Sequence, residues 1–428
     1  MCWWRFSRGL APVFFLILCA CELAAQASFR NGGLVIPLQP SDEDVNPALD
    51  VSDMAAVRAL SPNAKHPTIP PQTLERFGEY MAGLCQDYGL PGMAFAIVQD
   101  GDVVLQQTLG YANVKTGERL TEHTRFNAGP ATQALTSLLA ATLEGPRFTY
   151  DKPAQKLWPR FHMSASEISG EVTIRQLLTM TAGIPDYTDD ILDPAWARPE
   201  DVLAVIAQAP VIANPGQRFN VSQVSIAAAG YLLPRAAGKE GEFYEDYTET
   251  VQEKLFAPIG MTDSTFSLAA AQASGQMASA HQSADRGRYD PTGFWQPEQN
   301  AFAPAIGLKT SLADMTRWLI TELNMGKTPN GQQIADPVSV RERWQPARTE
   351  DSRNFGMGWS RRYYRSVEII GTMGSYDRHS AAMGIFPGYR TGFVALVNAD
   401  SPDALKVLSE LPLGVAEMLQ ASERQAGN

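Results

Sequence analysis

The strongest constraint on this chain is where its strand-like segments fall. Gly92-Met93-Ala94-Phe95-Ala96-Ile97-Val98 is an unbroken apolar run of strand length. Gln99-Asp100-Gly101-Asp102 follows as a turn in which Gly101 can take a positive φ, and Val103-Val104-Leu105-Gln106-Gln107 returns as the partner strand. Strand patterns then vanish until the C-terminal part, at Ser366–Ile370, Ser380–Phe386 and Thr391–Asn398. Between them the chain reads mainly as helix with long connections. Leu135, Leu138, Leu139 and Leu143 mark one helix face, and Ser222–Ala237 is strongly apolar. Another helical segment, Gln72–Tyr88, precedes the first strand. A chain that begins and ends in strands predicts an antiparallel sheet completed by both termini, with a helical insertion. This is an α+β layout of the broad α/β class, not a Rossmann sheet.

The 428 residues are 44% apolar, enough for a sizeable core, and show no repeat or low-complexity tract. The net charge of −11 argues against nucleic acid as a partner. Residues 1–25 read as an export signal: Arg5 and Arg8 supply the positive start, and Leu10 to Ala20 the apolar core. Two cleavage readings stand. Leu18-Cys19-Ala20-Cys21 reads as a lipobox with signal 1–20 and Cys21 as the lipidated first residue, the one membrane attachment expected. Ala25-Gln26-Ala27 fits ordinary cleavage near Gln26–Ser28. Either way the expected location is the periplasm or cell surface. Cys2, Cys19 and Cys21 fall in the signal, so Cys85 alone remains, in an apolar helical pattern that makes it a buried small hydrophobe. Residues 26–71 read as an arm or linker, and 72–425 as one domain with a helical subdomain over about 130–300.

The punctuation between these elements is distinctive. Gly110-Tyr111-Ala112-Asn113, Thr116-Gly117 and Thr124-Arg125-Phe126 come first. Thr173-Ile174-Arg175-Gln176-Leu177-Leu178 runs into Thr179-Met180-Thr181-Ala182-Gly183-Ile184-Pro185. Asn214-Pro215-Gly216-Gln217-Arg218-Phe219, Leu255-Phe256-Ala257-Pro258-Ile259-Gly260-Met261 and Phe355-Gly356-Met357-Gly358-Trp359 follow. In order and spacing this set resembles the serine β-lactamase and penicillin-binding-protein-like hydrolases, nearest their class-C-like branch, over roughly residues 75–420. The resemblance implies the serine β-lactamase-like fold and three catalytic clusters. A Ser-x-x-Lys opens a helix, so that the lysine can take the serine's proton as it attacks an acyl carbon. A Tyr-x-Asn supplies a second proton-handling group. A strand with Lys-Thr-Gly or His-x-Gly lines the cleft, and backbone N–H groups stabilise the oxyanion.

Laid on that pattern, this sequence departs from it in every cluster. Pro130 stands at the serine position and Gln133 at the lysine position. Proline has neither a hydroxyl nor an N–H, and glutamine cannot cycle a proton at neutral pH. Val221 occupies the tyrosine position and Gln223 the asparagine position. Thr372 and Gly374 stand for His-x-Gly, of which the glycine alone matches. Arg378 replaces a glycine, and its long side chain is expected to fill the cleft. Met180 and Ala182 replace the turn's usual histidine and serine. No Ser-x-x-Lys occurs anywhere, and Thr149-Tyr150-Asp151-Lys152 lies in a loop.

The five histidines, His66, His123, His162, His281 and His379, show no metal-binding spacing, so neither a metal nor another cofactor is expected. Ser375, Asp377, His379 and Ser380 are too close in sequence for triad geometry and read as loop residues at the cleft rim. Tyr187, Trp196, Trp295 and Trp359 read as structural. The expected function is that of an exported pseudoenzyme holding a cell-envelope ligand or protein partner. The alternative is a serine hydrolase of esterase, β-lactamase or D-amino-acid peptidase type with a non-standard nucleophile, Ser222 or Ser375.

Overall fold

β1 (Gly92–Gln99) is buried along its whole length and lies at the heart of a seven-stranded antiparallel sheet. The computed structural model describes residues 67–186, 198–284, 288–294, 301–347, 349 and 354–426. The signal-like segment, Cys21, most of the arm, His66, Tyr187, Trp196 and Trp295 lie outside the described residues. β1 pairs with β2 (Asp102–Asn113) through the Asp100-Gly101 turn, where both residues take a positive φ. On its other side β1 pairs with β11 (Thr391–Val397), with Phe95 opposite Ala395. The strand order is β3-β2-β1-β11-β10-β9-β8, with β3 at Glu118–Arg119, β8 at Ser360–Tyr364, β9 at Val367–Tyr376 and β10 at His379–Phe386.

The unbroken apolar run of β1 is explained by a core on each face. Strand residues alternate sides. Met93, Phe95 and Ile97 pack with Met81, Leu408 and Leu411 of helices α1 (Pro71–Asp87) and α5 (Pro402–Ala426). Ala94, Ala96 and Val98 belong to the larger core with helices α2 (Ala131–Leu143), α3 (Gln223–Ala236) and α4 (Leu312–Leu323). α1 opens with Pro71, whose fixed φ suits a first helical turn. α2 is buried from Ala131 to Ala141, so it runs through the interior. Among the described residues no helix is long and apolar enough to cross a membrane.

Cys85 is buried with its thiol against Met93 Sδ at 3.4 Å, and burial pushes its pKa up to about 12. An unreactive thiol follows. Two short strands escape any sequence pattern: β4 (Arg125–Asn127) pairs with β7 (Lys309–Ser311). A hairpin of β5 (Ala280–Ala284) and β6 (Arg288–Thr292) lies over the end of the sheet, where His281 bridges to Ala399.

Candidate functional site

β4 delivers the chain to Gly129 (φ +51), and Pro130 (φ −57, ψ −18) then caps α2 without a side-chain hydrogen bond. β9 passes directly beside this start. A Cβ added to Gly374 would fall 2.5 Å from Pro130 Cγ, and one on Gly129 would fall 3.1 Å from Tyr376 Cβ. The Pro130 ring therefore lies on the bare backbone of β9 at Gly374, and the slot between helix start and strand is filled by pyrrolidine. Gly358 closes the next turn of α2, since its Cβ would meet Ala134 N at 2.6 Å. Gly374→Ala is expected to destabilise the protein by about 1–3 kcal/mol through overpacking. Adding Pro130→Ala should recover most of that loss. Urea midpoints of the four proteins in the cycle measure it, and simple additivity would show that the two residues do not interlock.

α3 is built onto the same site by the loop before it. A reciprocal Thr173–Gln176 capping box starts the short helix Ile174–Leu178, and Met180 then turns at φ +56. Gly183 is pressed against Ala213, whose carbonyl oxygen a Cβ would meet at 2.0 Å. Ser225 Oγ donates to Leu177 O, and Gln223 N–H to Asp186 Oδ1. Val221 is 43% exposed just before α3. Gln133 and Gln223 are buried on the two helices, and Gln223 Oε1 is buried with no hydrogen-bond partner among the described residues. Thr372 is half-buried on β9, where β8 no longer pairs, because β8 stops opposite Gly371.

The two alternative serines are placed for other work. Ser222 is fully buried. It caps α3 by accepting from Ser225 N–H, and its own hydroxyl donates to Pro185 O at 3.2 Å. It touches no base. Ser375 follows Gly374 on a strand, so it faces the other side of the sheet from Pro130. There its Oγ lies 2.7 Å from Ser380 Oγ, which donates to Ala399 O. Ser375 also hydrogen-bonds Asp400, a carboxyl that reaches solvent yet is crowded enough for burial to raise its pKa.

Arg378 is half-exposed in the two-residue β9–β10 turn, within electrostatic range of Asp400, while the Pro130 ring occupies the slot. Asp377 and Arg378 hold φ +47 and +62, where each non-glycine residue costs roughly 1 kcal/mol. Neither Asp400 nor this strain was visible in the sequence. The available signal was a two-residue hairpin loop of Asp-Arg where glycine would be cheap.

The rim reading of His379 is corrected. It opens β10 in full burial, because the rings of Phe126 and Phe294 stand edge-on to it at 5.6 Å. Its Nδ1 accepts from Asn127 N–H at 2.8 Å, and Nε2 lies 3.3 Å from Ser279 O as donor. His281 similarly spans Val114 N–H and Asn398 O. The two imidazoles tie β2, β4, β5 and the sheet ends together near Pro130. Burial pushes His379 down to about 3 and also lowers His281. An unfolded histidine titrates near 6.5, so the unfolded chain takes these protons first. Their contribution is complete above about pH 6.5 and is lost as pH falls toward 3, for His379 on the order of a few kcal/mol. Asp314 and Glu410, raised by burial, act in the opposite sense. His379→Phe should lower stability at pH 7.5, because Asn127 N–H loses its acceptor, yet flatten the decline between pH 6.5 and 4.5. An unchanged slope of urea midpoint against pH would refute the assignment.

Trp359 is fully buried, as a structural residue should be. Among the described residues no group of histidine, cysteine and carboxylates has metal-site geometry.

The family model for β-lactamase matches residues 73–411. The chain belongs to the β-lactamase family. Among its relatives, protein Flp of Staphylococcus aureus (strain N315) is 23% identical over 336 residues, which cover 75% of this chain and 62% of Flp. The chain thus spans about three fifths of that relative. Penicillin-binding protein 4 of Amycolatopsis lactamdurans is 24% identical over 344 residues, 78% of this chain and 87% of that protein. The octameric penicillin-binding protein homologue from Pyrococcus abyssi superposes with a TM-score of 0.65 at 20% identity, covering 80% of this chain and 77% of that one. That likeness establishes the fold. Within a β-lactamase-family fold, the start of α2, the start of α3 and β9 are the three places where the sequence reading put the site.

Proposed function

We propose that this protein is a non-catalytic member of the β-lactamase family, exported to the periplasm or cell surface, which holds a ligand or protein partner without acyl transfer. The observation that carries this is Pro130 with its ring on Gly374. An acyl group entering there would meet a saturated ring in place of a hydroxyl, and proline has no N–H to offer an oxyanion. Gln133, Val221, Gln223 and Thr372 support the same reading, since none can take up or release a proton at neutral pH. Export rests on the charged start and apolar run of residues 1–25. No observation favours the altered-nucleophile hydrolase, because Ser222 is sealed in a helix cap and Ser375 faces away from the slot. The test is covalent labelling with a fluorescent penicillin and a fluorophosphonate, read by in-gel fluorescence and intact mass. No adduct is expected. A stoichiometric adduct on one serine would overturn the proposal.

A further inference from the structure

β2 lies next to the end of the sheet, and most of its outer edge is bare. From Asp102 to Gly110 it pairs with β1, but on its other side β3 reaches only Tyr111 and Asn113. Among the described residues, the backbone of Asp102–Leu109 makes no hydrogen bond except to β1. Such an edge offers a row of N–H and C=O groups to any strand that fits, and folded proteins usually blunt it with lysine, proline or a cover. β2 has none of these. Val103-Val104-Leu105-Gln106-Gln107-Thr108-Leu109 carries no charge, no proline and no glycine, in a chain of net charge −11. Against β1 its one irregularity is a bulge at Val104, since Ile97 faces Leu105 and Val98 faces Val103. Val103 is 45% exposed, and Gln106 and Thr108 are exposed as well.

We infer that the free edge of β2 is an interface between two copies of this chain, which pair antiparallel about a two-fold axis at Gln106 and join their sheets into one. The occupant follows from the composition of the edge and from where its cover begins. A two-fold axis sets each residue opposite its mirror position in the same segment. Gln106 then meets the partner's Gln106, Leu105 meets the partner's Gln107, and Val103 meets the partner's Leu109. No charge faces a like charge along this ladder, a condition that self-pairing must meet. The exposed Val103 gains an apolar cover. The register also fits the space, because it ends with Asp102 opposite the partner's Gly110, and β3 occupies the edge only from Tyr111 onward. An acidic or a basic peptide would find no counter-charge on these seven residues. This goes beyond the non-catalytic reading and does not rest on it, since β9, which carries Gly374, lies four strands away in the sheet.

The experiment is sedimentation velocity on the full chain, with hydrogen exchange to locate the contact. A sheet-edge interface is small, so a dimer dissociation constant on the order of 10 µM is expected. Between about 1 and 100 µM the protein should pass from monomer to dimer, and amides of Val103–Leu109 should become protected over the same range. Gln106→Lys and Gln106→Glu each set like charges against one another at the axis, so each should weaken the dimer by about tenfold or more. Gln106 is exposed, and its one side-chain partner among the described residues is Glu122, so either variant keeps the fold, as an unchanged Tm would confirm. An equal mixture of the two variants should dimerise again, because opposite charges then meet at the axis. A wild-type protein that stays monomeric across this range would overturn the inference, and so would a dimer that both variants leave intact. Full protection of Val103–Leu109 in the dilute monomer would also overturn it, by showing that the chain covers its own edge.

Discussion

Neither a fluorescent penicillin nor a fluorophosphonate is expected to mark the protein, and Pro130→Ser is expected to leave that result unchanged. A serine hydroxyl in water is a weak nucleophile, and a neighbouring base is what makes it reactive. At this site the neighbouring positions hold an amide, Gln133, and a valine, Val221. Neither can accept the proton that must leave as the oxygen attacks. Backbone donors and binding alone retain only roughly 10³–10⁴-fold over water in a serine protease stripped of its triad. Here the residue at the nucleophile position also lacks its amide hydrogen, so wild type should fall below that range. Pro130→Ser restores the hydroxyl and the N–H but not the base. The control is an active family member labelled in the same gel. Stoichiometric labelling of Pro130→Ser, mapped to residue 130, would show that a base is present where we assign none.

Arg343→Met is expected to destabilise the protein by about 3–5 kcal/mol. Arg343 and Glu322 form an ion pair with both side chains fully buried. Arg343 NH1 also donates to Ser137 Oγ at 3.1 Å and Ala134 O at 3.3 Å, while Trp318 Nε1 donates to Glu322 Oε1 at 3.0 Å. The pair therefore clamps α2, which carries Pro130, to α4. Methionine fills similar volume but leaves the Glu322 carboxylate without its counter-charge in the core. The loss is a penalty of isolation more than the strength of the pair. Arg343→Met with Glu322→Gln should thus be more stable than Arg343→Met alone. Equilibrium urea unfolding at neutral pH decides it. A single variant within 1 kcal/mol of wild type would mean that water reaches the site and relieves the charge.

Sequence patterning captured the frame of this fold because β1, β2, β10 and β11 are specified by their own residues. β1 is apolar on both faces, and Asp100-Gly101 sets its hairpin register. The strand expected at Ser366–Ile370 runs on to Tyr376. Gly371-Thr372-Met373-Gly374 has weak strand character of its own and is held extended by pairing to β10. β4 and β7 are three residues each and exist only because each finds the other. At the site, the spacing of motifs located Pro130 and Gly374 on their elements. It could not reveal that the ring of one rests on the backbone of the other, which depends on how closely helix and strand approach. His379 was misplaced for a related reason. Its polarity suggests a loop, but the two phenylalanine rings that enclose it lie about 250 and 85 residues away in the chain.

The pairing of β1 with β11 also sets a timetable for folding. Met93 lies opposite Val397, about 300 residues later in the chain. At about 5–20 residues per second of synthesis, β1 waits tens of seconds before its inner neighbour exists. Until then an eight-residue strand with no polar face has only β2 beside it. Such a chain reaches its native topology late, with high contact order and an exposed apolar edge in the interim. Truncation anywhere before Thr391 should therefore yield an aggregating product rather than a smaller folded one.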